Sequence, residues 1–470
     1  MLIGLFGLGL TTAAPFDGVP VLNPPAYPPG YFRVEEHQGV WWLVDPDGHA
    51  TLSIGIDNVT YDGDRILGSG PSPYQEAADR RYHGPQAWIR AAMARLHGWG
   101  FNTLGAWSDE ALWSQRVPYT VILDFAARSG AVSAQGWPAD VFDPRFKRTA
   151  TAIAAHDAAP RSHDRMLVGY FSDNELWWGT DWRHRGTVLG AYLEMAPTAP
   201  GRRRAVQFLR ARYQDNIAAL DRAWGVAALD FWDLPAQAPA AAYRADADAF
   251  LALVAERYFA VSAEAIHRAD PNHLYLGARF VGLPPTPVLV AARAADVVSL
   301  NLYDRDPRAA VERSYAVTGR PILISEFSFR ALDSGLPNTV GAGPWVFNEW
   351  TRAWAYVDYV TRLESLPEAI GYHWFRWADE PRQGRGDGEN SNYGLVSLGD
   401  DPYAGFVAAV AITNRAAADV HRGAEPRVLL PQAFAWYHWS WYDILGVLLG
   451  GPRWIVTAGG AVRAYLGRQT

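Results

Sequence analysis

Eight short apolar runs recur along this chain, and stretches with helical spacing lie between many of them. The runs are Thr51–Asp57, Phe101–Trp107, Tyr119–Phe125, Met166–Glu175, Leu274–Phe280, Val297–Tyr303, Pro321–Glu326 and Ala369–Trp377. Helical patterns include Pro85–Gly98, Phe142–Ala155 and Phe250–Arg268. A strand that is apolar on both faces belongs in a parallel sheet covered by helices. Eight such strands predict an α/β fold of the closed (β/α)8 TIM barrel type. The alternative is an open doubly wound sheet, which would carry a Gly-rich phosphate loop after its first strand. The sequence has no such loop there.

The stretch between the fourth and fifth runs is long. Arg202–Trp224 has apolar residues at helical spacing and ends on Gly225, a C-cap signal. This predicts a helical insertion after strand four, on the face where substrate-shaping loops sit. The expected organisation is an apolar N-terminus and Pro-rich lead-in over residues 1–30, a catalytic barrel over 31–425 and a C-terminal extension over 426–470.

Composition narrows the function. A chain of 470 residues with 49% hydrophobic content can bury a large core. The net charge of -7 is spread without a basic block, which argues against nucleic-acid binding. With no cysteine, neither a disulfide framework nor a thiolate metal site can form. No His-x-His or His-Glu-x-x-His spacing points to a metallohydrolase. The 21 Trp and 22 Tyr suit a sugar cleft as well as a core.

The two ends carry their own expectations. Met1–Ala14 resembles the apolar and cleavage regions of a signal peptide, without a basic start. It predicts a secreted, periplasmic or envelope location, with a cytoplasmic one as the alternative. At the other end, Phe434–Trp441 is aromatic and Ile444–Leu449 apolar, but Asp443, Pro452 and Arg453 interrupt the pattern. It falls short of the roughly 20 apolar residues of a spanning helix. The choice is an extension packed on the barrel or an interfacial segment giving peripheral membrane contact through residues 431–470. The oligomeric state has no signal in the sequence.

Two of the eight runs end on a glutamate. Leu167–Phe171 leads through Ser172, Asp173 and Asn174 to Glu175, and Pro321–Ser325 leads to Glu326. Strand C-terminal tips form the active face of a barrel. Two carboxylates there suit glycosidic hydrolysis, one protonating the leaving oxygen and one attacking or stabilising an oxocarbenium-like carbon. The acid needs apolar shielding, which Leu176, Trp177 and Trp178 could give Glu175. The nucleophile needs donors, for which Arg279 and Tyr303 are placed at the next strand tips. Asp124, Asp173 and Asp304 are rival carboxylates, Asp173 being a structural hydrogen-bonder by strand alternation.

These residues carry a resemblance. The chain is similar to the clan A retaining glycoside hydrolases, and within them to the family 50 β-agarases. The stretches that carry it are Trp41–Gly48, Gly169–Gly179, Asp270–Phe280, Ile324–Phe327, Gly371–Pro381 and Asp387–Leu395. The resemblance implies that Glu175 is the acid/base, that Glu326 is the nucleophile and that Asn174 binds the sugar 2-hydroxyl. It implies retaining hydrolysis of a polysaccharide through a glycosyl-enzyme, with no metal or cofactor.

Further expected sugar contacts are Asp57, Asn58, Trp107, Trp177, Arg279, Tyr303, His373, Trp374, Trp377, Glu380, Glu389 and Asn390. Core packing is the alternative for His373 and Trp374, and a solvated turn for the loop through Arg385, Glu389, Asn390 and Asn392. Glu380 stands where many agarases of this type carry glutamine, which leaves another galactan or β-glycan open as substrate. A transglycosylase with the same glutamates, or a non-catalytic glycan-binding barrel with a membrane-associated tail, are the other readings.

Overall fold

The apolar runs become strands because most of their residues are buried. The computed structural model describes residues 19–20, 30–131 and 139–423. We label the strands of its main sheet β1 (Ser53–Ile56), β2 (Thr103–Leu104), β3 (Tyr119–Ile122), β4 (Leu167–Phe171), β5 (two pieces, Leu274–Tyr275 and Phe280–Val281), β6 (Val298–Asn301), β7 (Ile322–Phe327) and β8 (Ala369–Trp374). All neighbouring pairs are parallel. The order runs β6-β7-β8-β1-β2-β3-β4, and the two pieces of β5 lie at its opposite ends.

That placement curls the sheet. The segment of β5 is bonded on one side to β4, through Leu276 N to Tyr170 O at 2.8 Å and Ser172 N to Gly277 O at 2.9 Å. On its other side Val297 N reaches Tyr275 O at 3.3 Å and Gly282 N reaches Asn301 O at 2.9 Å. The arrangement is a mostly parallel, curled sheet wrapped by helices, consistent with an α/β barrel.

An antiparallel hairpin, Arg33–His37 with Val40–Val44, covers the end opposite the strand tips. Its Leu43, with the preceding Phe32, joins one apolar cluster with Val168, Phe171, Leu274, Leu276, Val297, Leu323 and Ile370. Side chains from four main-sheet strands and from residues beside β5 and β6 thus meet in one small volume. Each fully buried Leu, Ile or Phe there contributes about 1.5–3 kcal/mol.

The helices follow their sequence signals. Pro85–Gly98 starts on a proline that needs no hydrogen-bond partner there. The expected run Arg202–Trp224 is two helices, Pro200–Arg212 and Ile217–Trp224. Gln214 and Asp215 have left-handed φ of 52° and 57°, and the Asn216 side chain caps Ala219 N, so the run breaks between them. Gly225 closes the second helix at φ 71°. No helix among the described residues is long and apolar enough to cross a membrane. The expectations for residues 1–14 and 431–470 lie outside the described residues.

Candidate active site

The tips of β1 to β5 share one backbone feature. Asn58, Trp107, Asp124, Glu175 and Arg279 all have left-handed φ, between 44° and 58°. Non-glycine residues take that conformation at a cost, and such residues cluster where a site needs them.

Arg279 is the pole of the site. It is fully buried. Its Cζ lies 4.7 Å from the ring centre of Trp107 and 5.0 Å from that of Phe171. Its Nε donates to Asn174 Oδ1 at 2.8 Å, and one Nη donates to Asp57 Oδ2 at 2.9 Å and to Glu326 Oε1. Asp57 also accepts from Ala106 N at 2.8 Å.

Glu326 accepts a second bond at its other oxygen, from the Tyr303 hydroxyl at 2.6 Å. Burial raises the Glu326 carboxyl above the ordinary glutamate range, and the charges of Glu175 and Asp57 add to the push. Arg279 and Tyr303 pull the other way. Tyr303 itself is held well above the ordinary phenol range, first by burial and then by Glu326, so it keeps its proton.

Glu175 is joined to the same network through Asn301. The Asn301 amide donates to Glu175 Oε1 and to Asn174 Oδ1, both at 3.0 Å, and Ser325 Oγ donates to Asn301 Oδ1 at 2.8 Å. Asn301 is the cross-strand partner of Glu326. Burial raises the Glu175 carboxyl, Glu389 raises it further, and Asn301, Arg183 and Arg279 oppose the rise. Two carboxyls that repel in this way titrate as a pair.

The structure brings together Glu175, Glu326, Asn174, Asp57, Arg279, Tyr303 and Trp107 of the expected site. Trp107 is 41% exposed and stands at the mouth. Asn58 is half-buried beside it, bonded through its backbone to Ala106 O at 2.8 Å. Trp177 is buried, with its ring 5.7 Å from that of His184. Glu389 is half-buried and bonded to Arg385 at 2.7 Å.

Other expected sugar contacts are internal. Asp57 is fully buried behind Arg279 and positions it. His373 is fully buried, with Nε2 2.9 Å from Ser53 Oγ, its ring occupying the space a side chain at Gly55 would need. Trp374 gives its indole N–H to Tyr393 O at 2.9 Å, and Trp377 gives its own to Tyr74 at 2.7 Å; neither is exposed. All four are internal in this structure and support their neighbours. Glu380 is also fully buried, accepts from Ser391 N at 2.8 Å and lies 3.3 Å from Arg385 Nε. Burial raises its carboxyl well above the ordinary range. Asn390 pins the neighbouring loop, its Oδ1 accepting from Thr339 N and Val340 N at 3.0 Å.

Among the rivals, Asp173 is structural, as strand alternation predicts. It accepts from Ala126 N at 2.8 Å and from the Tyr258 hydroxyl at 2.6 Å. Asp304 stands exposed after β6. Sequence reasoning missed Asn301, although it ends an apolar strand on a polar residue just as the glutamates do.

No protein-family model matches the chain. β-Agarase A of Vibrio sp. (strain JT0107) is 31% identical over 453 residues, covering 80% of this chain and 45% of that protein. β-Agarase B of the same organism is 28% identical over 461 residues, covering 82% and 48%. The chain thus spans about half the length of the curated relatives it matches. The solved structure of an exo-β-agarase superposes with a TM-score of 0.73 at 27% identity, covering 83% of this chain and 66% of that one. A second solved agarase gives 0.72 at 26% identity, covering 86% and 67%. In sequence and in fold, the chain is similar to the β-agarases.

Proposed function

We propose that this protein is a retaining glycoside hydrolase that cleaves β-linked galactan chains of the agarose type, on a (β/α)8 barrel with a helical insertion after β4. The substrate rests on the β-agarase relatives. The observation that carries the chemistry is the unequal grip on the two glutamates. Both oxygens of Glu326 accept from donors, Arg279 and Tyr303, while Glu175 accepts from Asn301 at one oxygen.

This inequality decides where a shared proton goes. A guanidinium has no lone pair to offer, and the Tyr303 hydroxyl already points at Glu326. A proton on Glu326 would weaken one of these bonds, because a protonated carboxyl oxygen is a poorer acceptor. A proton on the second oxygen of Glu175 breaks none. The reactive form is therefore Glu175 protonated and Glu326 ionised.

Glu326 then attacks the anomeric carbon, and a C–O bond forms as the glycosidic C–O bond breaks. The departing oxygen takes the Glu175 proton. In the second half a water attacks the same carbon, returns its proton to Glu175 and releases Glu326. Asn174 Oδ1 is fixed by Arg279 and Asn301, which turns its amide N–H group the other way, free for a sugar hydroxyl.

Glu326→Gly should be inactive alone and regain turnover of an activated galactoside with azide, giving a glycosyl azide of opposite anomeric configuration. Full activity in Glu326→Gln, with no azide rescue of the glycine variant, would sink the assignment. Agarose, tested beside other galactans and β-glucans, should be the polymer that wild type cleaves.

A further inference from the structure

The loop after Glu175 holds a tryptophan out in water. Trp182 is 79% exposed. Its loop is fixed, not slack. Thr180 Oγ1 donates to Gly186 O at 2.9 Å, and Asp181 N donates to His184 O at 3.0 Å. Asp181 accepts from Arg183 N at 2.7 Å and from the Arg183 guanidinium at 3.0 and 2.7 Å. Gln237 ties the far end through Arg185 O at 3.3 Å.

The loop is also tied to the chemistry. Arg183 Nη1 donates to the backbone carbonyl of Glu175 at 2.5 Å. The same guanidinium carbon lies 5.6 Å from the Trp182 ring centre and fixes that side of the ring. Ordering a large side chain without burying it gains nothing for folding. A flat indole on a loop tied to the Glu175 backbone has an obvious complement in the C–H face of a pyranose.

We propose that Trp182 is the stacking platform for the sugar on the leaving-group side of the cleaved bond. The side follows from Glu175, because the group that protonates the leaving oxygen stands beside the sugar that departs. This inference therefore rests on the assignment of Glu175. The ligand is a neutral pyranose of a galactan chain, held by its apolar face.

Two substrates separate the platform from the chemistry. One is an agar-derived oligosaccharide that extends past the cleaved bond. The other is a glycosyl fluoride with the same donor-side sugars, whose leaving group is a single atom. Trp182→Ala should lower kcat/KM on the oligosaccharide about tenfold, mainly through KM, and leave the fluoride unaffected. Trp182→Phe should keep most of the oligosaccharide activity. Equal losses on both substrates, or no loss on the oligosaccharide, overturn the platform. A wild type inert to the fluoride refutes the reading of the glutamates, and the platform with it. Because Trp182 is exposed, Tm should not move in either variant.

Discussion

Removing the Tyr303 hydroxyl should move one limb of the pH profile and leave the other in place. The bond to Glu326 Oε2 is 2.6 Å long, the usual length for a hydroxyl meeting a carboxylate, and it helps keep Glu326 ionised. A hydrogen bond to a charged group contributes about 1.5–3 kcal/mol. At about 1.36 kcal/mol per pH unit, its loss raises the proton affinity of Glu326 by about 1–2 units. The proposed mechanism needs Glu326 ionised, so activity should rise with pH as Glu326 loses its proton. In Tyr303→Phe that acid limb should move to higher pH by the same 1–2 units. The alkaline limb, where Glu175 loses its proton, should stay within a few tenths. The assay is kcat/KM on an activated galactoside from pH 4 to 10, with Tm followed in parallel. An acid limb that stays put, or moves to lower pH, would refute the assignment of Glu326 as the ionised member.

The remaining predictions act on other carboxyls. Asn301→Ala removes the donor that stabilises ionised Glu175, so the alkaline limb should move to higher pH while the acid limb moves less. Glu364 is buried with neither carboxyl oxygen hydrogen-bonded, and burial raises it well above the ordinary glutamate range. An acid raised in the folded state is favourable at pH below its unfolded value of about 4.3, and its contribution is lost as pH rises toward the folded value. Glu364→Gln should therefore raise Tm at pH 7.5 and leave it unchanged at pH 4. A melting series across that range reads the difference, and an equal Tm gain at both ends would exclude the titration.

The strands were legible because each is buried on both faces, so the apolar pattern is unbroken. The glutamates were legible for the converse reason, since a carboxylate ending such a run has to have a use. The same burial hid the side-chain directions on β8. All six of its residues are buried, so alternation offered no polar face to orient the strand. His373 and Trp374 read equally well as cleft or core, and the structure makes both core. β5 was expected as one run and is two pieces. Gly277 at φ 87° and Arg279 at φ 44° bend it between them, and Gly277 passes so close to β6 that a Cβ would lie 3.0 Å from Val297 O. That bend carries Arg279 into the centre, which no periodicity could reveal.

The left-handed tips and the buried charges belong to one design. A regular strand alternates its side chains between the barrel interior and the helix layer. A left-handed residue at the tip breaks that alternation. At β1, Asp57 is internal and Asn58 takes the strained conformation. At β4, Asp173 is internal, and Glu175 takes it while its N–H bonds to Arg279 O at 3.1 Å. Each such residue costs on the order of 1–3 kcal/mol. Burying Arg279 with Asp57 and Glu326 adds a desolvation cost that their attraction does not reliably recover. Neither expense serves the fold, which draws its stability from its buried apolar cores. What both achieve is a cation fixed between two carboxylates in a site shielded from water, where its field on Glu326 is strongest. A scaffold for glycan binding alone has no need of that field. The concentration of strain and buried charge at one end of the barrel therefore favours a catalytic site over a binding one.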